Sequence, residues 1–460
     1  MISSNQVKGF YSNQKSLFFF LVLIVAGFLI GSAVTFLPPF MIIIVGGLAF
    51  SLIILYKYPE IGLVFYATSL GFIEPIFNSL GVPSGLRALP IALLLVTMLV
   101  FFLLREKRGI KLGGVHYVGL CIGAILCIGF LWTPSPNYGL WKVEAYMLYS
   151  LLLLLSTSLF AGENERLVRI IYTAAFLGVI FSFVGLYTIS AGDSQEWGRL
   201  TIGSFDPIWL ARAMGVSFLA LLMLFEITRS KVMKIFILVF LFCLVFLIFN
   251  TGSRGPTFSL FLTLLFYFAF FLKRPLIQKV VIIAIVGIII CAAFIFMPQE
   301  AQDRFNLFSF SESEQGTDYS TGRMPLFSSA LLAFYSHPFF GLGTGGFSYH
   351  YCSHDTRLYP HNLFLEMGSE LGILGIGLII FFICLNFKVI FHIFKNNRRI
   401  NQANFLSVWG ALIFLFEFGG SMVSGDLMSN KLLFFGSGFM WAAYTTYQMK
   451  EGSEGLKCGR

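Results

Sequence analysis

Long apolar runs follow one another along almost the whole chain, each about 17–25 residues and each long enough to cross the hydrocarbon core of a bilayer as a helix. They fall at roughly 17–37, 40–56, 60–79, 86–104, 115–133, 139–160, 168–190, 207–227, 233–250, 256–272, 277–297, 362–387, 404–423 and 430–448. Glu74 and Glu144 interrupt the third and sixth. The pattern predicts an all-α, polytopic integral membrane protein of about 12–14 transmembrane helices, with a large extracytoplasmic loop carrying short helices. Lys8 and Lys15 precede the first run as in a secretory signal. That run is too long for such a signal and Pro38-Pro39 leads straight into another span, so a retained first helix is expected.

Composition agrees with the pattern and adds a topology. Hydrophobic residues make up 57% of the 460 and charged residues 12%, and the mean hydropathy is +0.84, outside the soluble range. Most lysines and arginines fall on one side of the predicted spans, including Lys57, the Arg105–Lys111 cluster, Arg166, Arg169, Lys231, Lys234, Lys388 and the C-terminal tail. The positive-inside rule makes that side cytoplasmic and places both termini there. The net charge of +9 then reflects cytoplasmic loops and gives no sign of nucleic-acid binding. Seven cysteines, five of them in apolar spans, imply no disulfide framework.

The opposite side keeps Arg87, Lys142, Arg199, Arg212, Arg254, Arg304, Arg323, Arg357 and Lys431, a set rich in arginine. Topology selects against these residues, so they need another reason. The planar guanidinium fork suits phosphate, and an anionic ligand on the outer face is the physical suggestion. The organisation expected is transmembrane helices at 1–190, helices with arginine-bearing external loops at 191–298, the extracytoplasmic loop at 299–360, C-terminal helices at 361–449 and a cytoplasmic tail at 450–460.

Chemistry concentrates between Thr321 and Gly375, where four of the six histidines lie. His361 stands between Pro360 and Asn362 at the start of a span, where water and lipid meet, and has a side chain suited to general-base work. Its bland alternative is a helix-start histidine satisfied by backbone. Glu370 lies further along the same helix, and Glu366 is expected to point elsewhere. Arg254, between Ser253 and Gly255 at a span junction, reads either as an anion ligand or as an interfacial arginine, and Arg323, before an amphipathic stretch at 324–336, either as a ligand of a lipid headgroup or as a solvated loop arginine paired with Glu312, Glu314 or Asp318 of the acidic tract at 311–318. Arg199 and Arg212 carry the same two readings. His350, Cys352, His354 and Asp355 are metal-capable, but their spacing matches no closed zinc pattern, and no metal or other cofactor is expected. The glycine run Gly341–Gly346 follows no strand and is read as allowing close packing or backbone approach to a ligand rather than as a nucleotide loop.

Taken together, Ser253-Arg254-Gly255, Thr321-Gly322-Arg323, His337-Pro-Phe-Phe-Gly-Leu-Gly343, Pro360-His361-Asn362-Leu363 and Glu370-Leu-Gly-Ile-Leu-Gly375 resemble the O-antigen ligase and polymerase superfamily of bacterial envelope proteins. The resemblance spans about residues 199–430, and its specificity lies in the combination. It implies metal-independent glycosyl transfer at the outer face of the bacterial inner membrane. The implied donor is an undecaprenyl-diphosphate-linked glycan, and the acceptor is a second lipid-linked saccharide (polymerase) or lipid A core (ligase). Arg254 and Arg323 would then hold the diphosphate with help from Arg199 and Arg212. His361 would activate the acceptor, with Asn362 and Glu370 beside it. Membrane lipids and a chain-length regulator protein are the other implied partners. A polymerase is favoured over a ligase, and a lipid-linked oligosaccharide flippase is the rival of another class. Such transporters show repeated halves, which this chain lacks.

Overall fold

A computed structural model describes residues 57–68, 111–191, 195–196, 199–203, 206–271, 323–396, 404–424 and 426–458, with isolated positions between them. The runs expected at 17–37, 40–56, 86–104 and 277–297, the acidic tract at 311–318, and Arg87, Arg304 and Thr321-Gly322 lie outside the described residues, apart from single positions. Met1–Pro59 and Glu60–Arg460 form two units, and the account below concerns the second.

The described chain is helical apart from one two-stranded turn. Its elements are α1 (Pro59–Thr68), α2 (Gly114–Gly129), α3 (Pro136–Ser158), α4 (Asn164–Ala191), α5 (Pro207–Ile227), α6 (Lys231–Asn250), α7 (Arg254–Phe266), α8 (Arg323–Ser336), α9 (Gly346–Cys352), α10 (Leu363–Asn396), α11 (Phe405–Val423) and α12 (Lys431–Cys458). Strands β1 (Gln195–Glu196) and β2 (Arg199–Leu200) pair antiparallel between α4 and α5. Seven helices among the described residues are long and apolar enough to cross a membrane, and α7 continues as a shorter apolar helix to Phe270. The chain is thus an all-α polytopic membrane protein.

Local chemistry explains most of the boundaries. Asp206 accepts the Ile208 N–H at 2.8 Å and Pro207 opens α5. Ser230 accepts the Met233 N–H at 3.4 Å and opens α6. Asn362 accepts the N–H groups of Phe364 and Leu365 at 3.0 and 3.1 Å and opens α10. Such caps satisfy donors that a helix start leaves unpaired. The start of α3 is capped from a distance: the Asp355 carboxylate accepts the Asn137 and Tyr138 N–H groups at 2.8 and 2.9 Å.

The spans α5 and α11 are the most buried, and α11 packs against α5, α7, α10 and α12. By contrast α6 shows Val232, Ile235, Phe236 and Val239 outward, as a lipid-facing helix should. Buried Glu60 on α1 meets Arg166 at 3.0 Å and Arg169 at 2.6 Å on α4, so two arginines of the expected cytoplasmic set have an internal partner.

The amphipathic stretch forms α8 and packs on α10, burying Leu326, Ala330 and Ala333 and showing Met324, Leu332 and Tyr335 outward. One expectation needs correcting in detail. The single span foreseen at 362–387 is broken at Gly372, whose φ of 63° and ψ of −152° are not helical. The glycine run fills the break: Leu342 and Gly343 donate to the Ser369 and Glu370 carbonyls at 2.9 Å each, and Ile373 donates to Pro338 at 2.8 Å. A Cβ on Gly341 would lie 2.3 Å from the Glu370 carbonyl carbon, and Gly341 has φ 66°, so only glycine fits. Close packing is therefore the role of this run.

Candidate functional site

The sequence-predicted residues converge on a segment that sequence reasoning overlooked, Met422–Asn430, which joins α11 to α12. Asn362 donates to the Met422 carbonyl at 3.0 Å, and Arg323 donates to the Val423 carbonyl at 2.6 Å. Gly255 packs against the same place, since a Cβ there would come within 2.9 Å of Ser424 Oγ and 3.1 Å of Val423. The starts of α7, α8 and α10 therefore meet at Met422–Ser424. Helix starts present unpaired N–H groups and a partial positive charge, so the meeting of three, with an arginine at the first position of two, is an anion-favouring arrangement. Arg254 is exposed and makes no ion pair among the described residues. Arg199 lies behind it, donating to the Thr251 carbonyl at 2.9 Å and to Ser253 Oγ at 3.0 Å.

His361 sits beside this point with a φ of 56°, a backbone conformation uncommon for any residue but glycine. Its ring lies 4.4 Å from that of Tyr359, and its Nδ1 is buried without a hydrogen-bond partner among the described residues. Burial first, and then the Arg323 and Arg357 charges, push its pKa down to about 4, against an opposing pull from Asp426. The imidazole is therefore neutral at physiological pH and able to accept a proton.

Arg212 is only 1% exposed, and its two terminal nitrogens are taken up mainly by the same segment. It donates to the Ser424 carbonyl at 2.8 Å, the Ser429 carbonyl at 3.1 Å and Asn430 Oδ1 at 2.7 Å, and faces Glu417 at 3.4 Å. Its place in the structure is that of a clamp on the turn. Asp426 is held from the other side: Arg357 lies 3.4 Å away, and Ser429 donates from both its backbone and its hydroxyl. Burial alone would raise the Asp426 pKa, but Arg357 and these hydrogen bonds hold it below the usual carboxylate range.

Glu370 is placed apart from this point and is 2% exposed. Both its oxygens lie 2.7 Å from Lys142 Nζ, and it accepts the Gly345 N–H at 2.8 Å. Glu366 does not point elsewhere, as expected above; one turn earlier on α10, it reaches the same Lys142 at 2.6 Å and accepts the Leu427 N–H at 2.8 Å. A spacing of four residues puts both carboxylates on one helical face. Lys142, counted by sequence as an external basic residue, is fully buried between them. Its signal was a lysine inside an apolar run, which needs a partner, but the partner lies more than two hundred residues away.

The metal-capable cluster is spent on structure. His354 Nδ1 lies 2.6 Å from the Cys352 carbonyl, Cys352 donates to the Ser348 carbonyl, and Asp355 caps α3. Among the described residues no three His, Cys, Asp or Glu side chains are grouped to hold a metal ion.

Comparison with known proteins bears on this arrangement directly. Residues 238–382 match the sequence model of a family described as O-antigen ligase. That segment contains Arg254, Arg323, His361 and Glu370. The match covers less than half of the chain, and within it the chain is similar to that family. It is also similar to the teichuronic acid biosynthesis protein TuaE of Bacillus subtilis (strain 168), 22% identical over 334 residues that cover 68% of this chain and 67% of that protein. The apolar helices independently make the chain a multi-pass membrane protein. The family match stops at 382, short of the Met422–Asn430 turn on which those helix starts meet.

Proposed function

We propose that this protein belongs to the O-antigen ligase and polymerase superfamily and transfers a glycan from undecaprenyl diphosphate to a saccharide hydroxyl at the outer face of the bacterial inner membrane, acting as a surface-polysaccharide polymerase. The observation that carries the reading is that the helix starts bearing Arg254, Arg323 and Asn362, the last next to His361, meet at Met422–Ser424. Arg254 and Arg323 would bind the donor diphosphate, reinforced by the starts of α7 and α8. Arg199 and Arg212 support that role from behind, by fixing Ser253 and the turn.

In the reaction the acceptor oxygen attacks the anomeric carbon and its proton passes to the His361 imidazole. The anomeric C–O bond to phosphate breaks, and the electron pair leaves with the diphosphate, with inversion at carbon. The growing charge on the leaving group is met by guanidinium groups already in place, which lowers the barrier without reorganisation. No step draws on a metal ion. Similarity to a protein named for teichuronic acid biosynthesis supports assembly of a polymer as the chain's task.

The test uses full-length protein in nanodiscs supplied with the native lipid-linked repeat unit, with and without lipid A core. A ladder from the repeat unit alone is the expected result. Product only on addition of core would make the protein a ligase. Absence of product in both arms, with folded protein, would refute glycosyl transfer and revive the flippase reading.

A further inference from the structure

We propose that Trp141, Arg357 and Tyr359 form the subsite for the acceptor's terminal sugar, on the side of His361 opposite the donor arginines. The proposal rests on the glycosyl-transfer reading above and adds to it where the second substrate lies. Arg357 contacts two aromatic rings, its guanidinium carbon 5.2 Å from the Trp141 ring centroid and 5.5 Å from that of Tyr359. Tyr359 in turn contacts His361 with ring centroids 4.4 Å apart. Four planar groups from α3 and the 357–361 segment thus form one run of side-chain contacts, the last pair tilted by 52°, that ends at the proposed base. All four are at least partly exposed, and the Arg357 side chain is 36% exposed.

This arrangement is the chemistry that recognises a pyranose. The C–H face of a sugar is apolar and stacks on an aromatic ring, while its hydroxyls need donors and acceptors at the ring edge. Arg357 supplies the donors. Its Nε faces Asp426 at 3.4 Å and its Nη2 reaches Ser429 at 3.3 Å, while Nη1 has no partner among the described residues. A purely structural anchor for this segment is already present, because Asp355 is fixed to the start of α3 by two hydrogen bonds. An anchoring arginine would also gain nothing from exposure.

Position separates acceptor from donor. His361 feels two cations, Arg323 and Arg357. Arg323 belongs with Arg254 at Val423–Ser424, whereas Arg357 belongs with Asp426 and Ser429 further along the turn. A diphosphate held by the first pair leaves that run of contacts for a hydroxyl approaching His361 from the other side. A base between two substrates is the geometry that a direct transfer requires.

The experiment measures two affinities on full-length protein in nanodiscs. One ligand is the lipid-free oligosaccharide of the native repeat unit, and the other is undecaprenyl diphosphate carrying no sugar. Trp141→Ala and Arg357→Gln are each expected to weaken oligosaccharide binding by about tenfold or more, the loss of one good stacking or hydrogen-bonding contact. Undecaprenyl diphosphate binding should stay within about twofold, and Trp141→Phe, which keeps a ring, should recover most of the loss. Arg254→Ala should show the reverse pattern. Unchanged oligosaccharide affinity in both variants, or equal loss of both ligands, overturns the subsite. Should Trp141→Ala fail to reconstitute, Arg357→Gln decides alone, since its side chain is partly exposed. Wild-type protein that transfers nothing, yet loses oligosaccharide affinity on these substitutions, would refute the reaction and leave the subsite standing.

Discussion

Replacing Lys142 by methionine should destabilise the whole assembly rather than α3 alone. Lys142 Nζ lies 2.6 Å from Glu366 and 2.7 Å from both oxygens of Glu370, and all three side chains are at most 2% exposed. At an effective dielectric constant of about 20, each charge pair at that distance contributes about 6 kcal/mol of gross attraction, offset by desolvation and by repulsion between the carboxylates. The net effect is better judged from what is left behind. Without the lysine, two carboxylates remain buried with only the Gly345 and Leu427 N–H groups to satisfy them. Breaking a buried ion pair in this way costs about 3–5 kcal/mol.

For a chain of this length that is about 3–5 °C in melting midpoint, followed by intrinsic tryptophan fluorescence in detergent. The decisive comparison is the neutral triple variant Lys142→Met, Glu366→Gln, Glu370→Gln. It leaves no unpaired charge, and each glutamine oxygen can still accept its backbone N–H. The triple variant should therefore melt above the single one. A single variant as stable as wild type, or a triple variant less stable than the single, would refute the argument that the cluster acts as a neutralised unit.

Three further outcomes are expected. Because the His361 pKa is held near 4 by burial and by Arg323 and Arg357, kcat/KM should stay level as pH falls from 7 and drop only towards that value. A bound diphosphate would cancel the Arg323 charge and raise the histidine pKa, so the acid limb of kcat should lie at higher pH than that of kcat/KM; coincident limbs would contradict the placement of the diphosphate beside His361. Gly372→Ala should lower the melting midpoint, because its φ is 63° and a Cβ would lie 2.5 Å from the Phe339 carbonyl carbon, whereas Gly377→Ala, with nothing within 4 Å, should be neutral. Transfer should persist in excess EDTA in the nanodisc assay, and its abolition with recovery on adding a divalent cation would overturn the metal-free mechanism.

The sequence made the membrane architecture legible because apolar length and capping residues are local signals. The runs expected from 207 and 233 begin at Pro207 and Lys231, each beside a side-chain cap, and those expected from 404 and 430 begin at Phe405 and Lys431. The break at Gly372 was hidden, since one glycine inside an apolar run looks like any other until the Gly341–Gly346 loop is placed against it. Arg254, Arg323, Asn362 and His361 stood out as polar residues at span ends, and the structure brings their helix starts to one turn. Lys142 could not be assigned, because its partners are set by how α3 and α10 pack. The Met422–Asn430 turn was passed over for the same reason: alone it is a short polar connection, and only the helix starts around it give it a role.

That turn also shows how charge is partitioned at this end of the molecule. Lys142 is neutralised by Glu366 and Glu370, Arg212 by Glu417, and Arg357 by Asp426. These four carboxylates each serve a cation inside the protein, and two of them, Glu366 and Asp426, fix the turn itself through Leu427 and Ser429. Arg254 is different, exposed at a helix start and without an ion pair among the described residues. A cation kept at the end of an apolar helix, with no internal carboxylate to meet it, is costly unless a ligand supplies the charge. On the proposed reading the donor diphosphate is that ligand. The buried pairs then have a second effect, because every carboxylate they occupy is one that cannot compete with the donor for the exposed arginine.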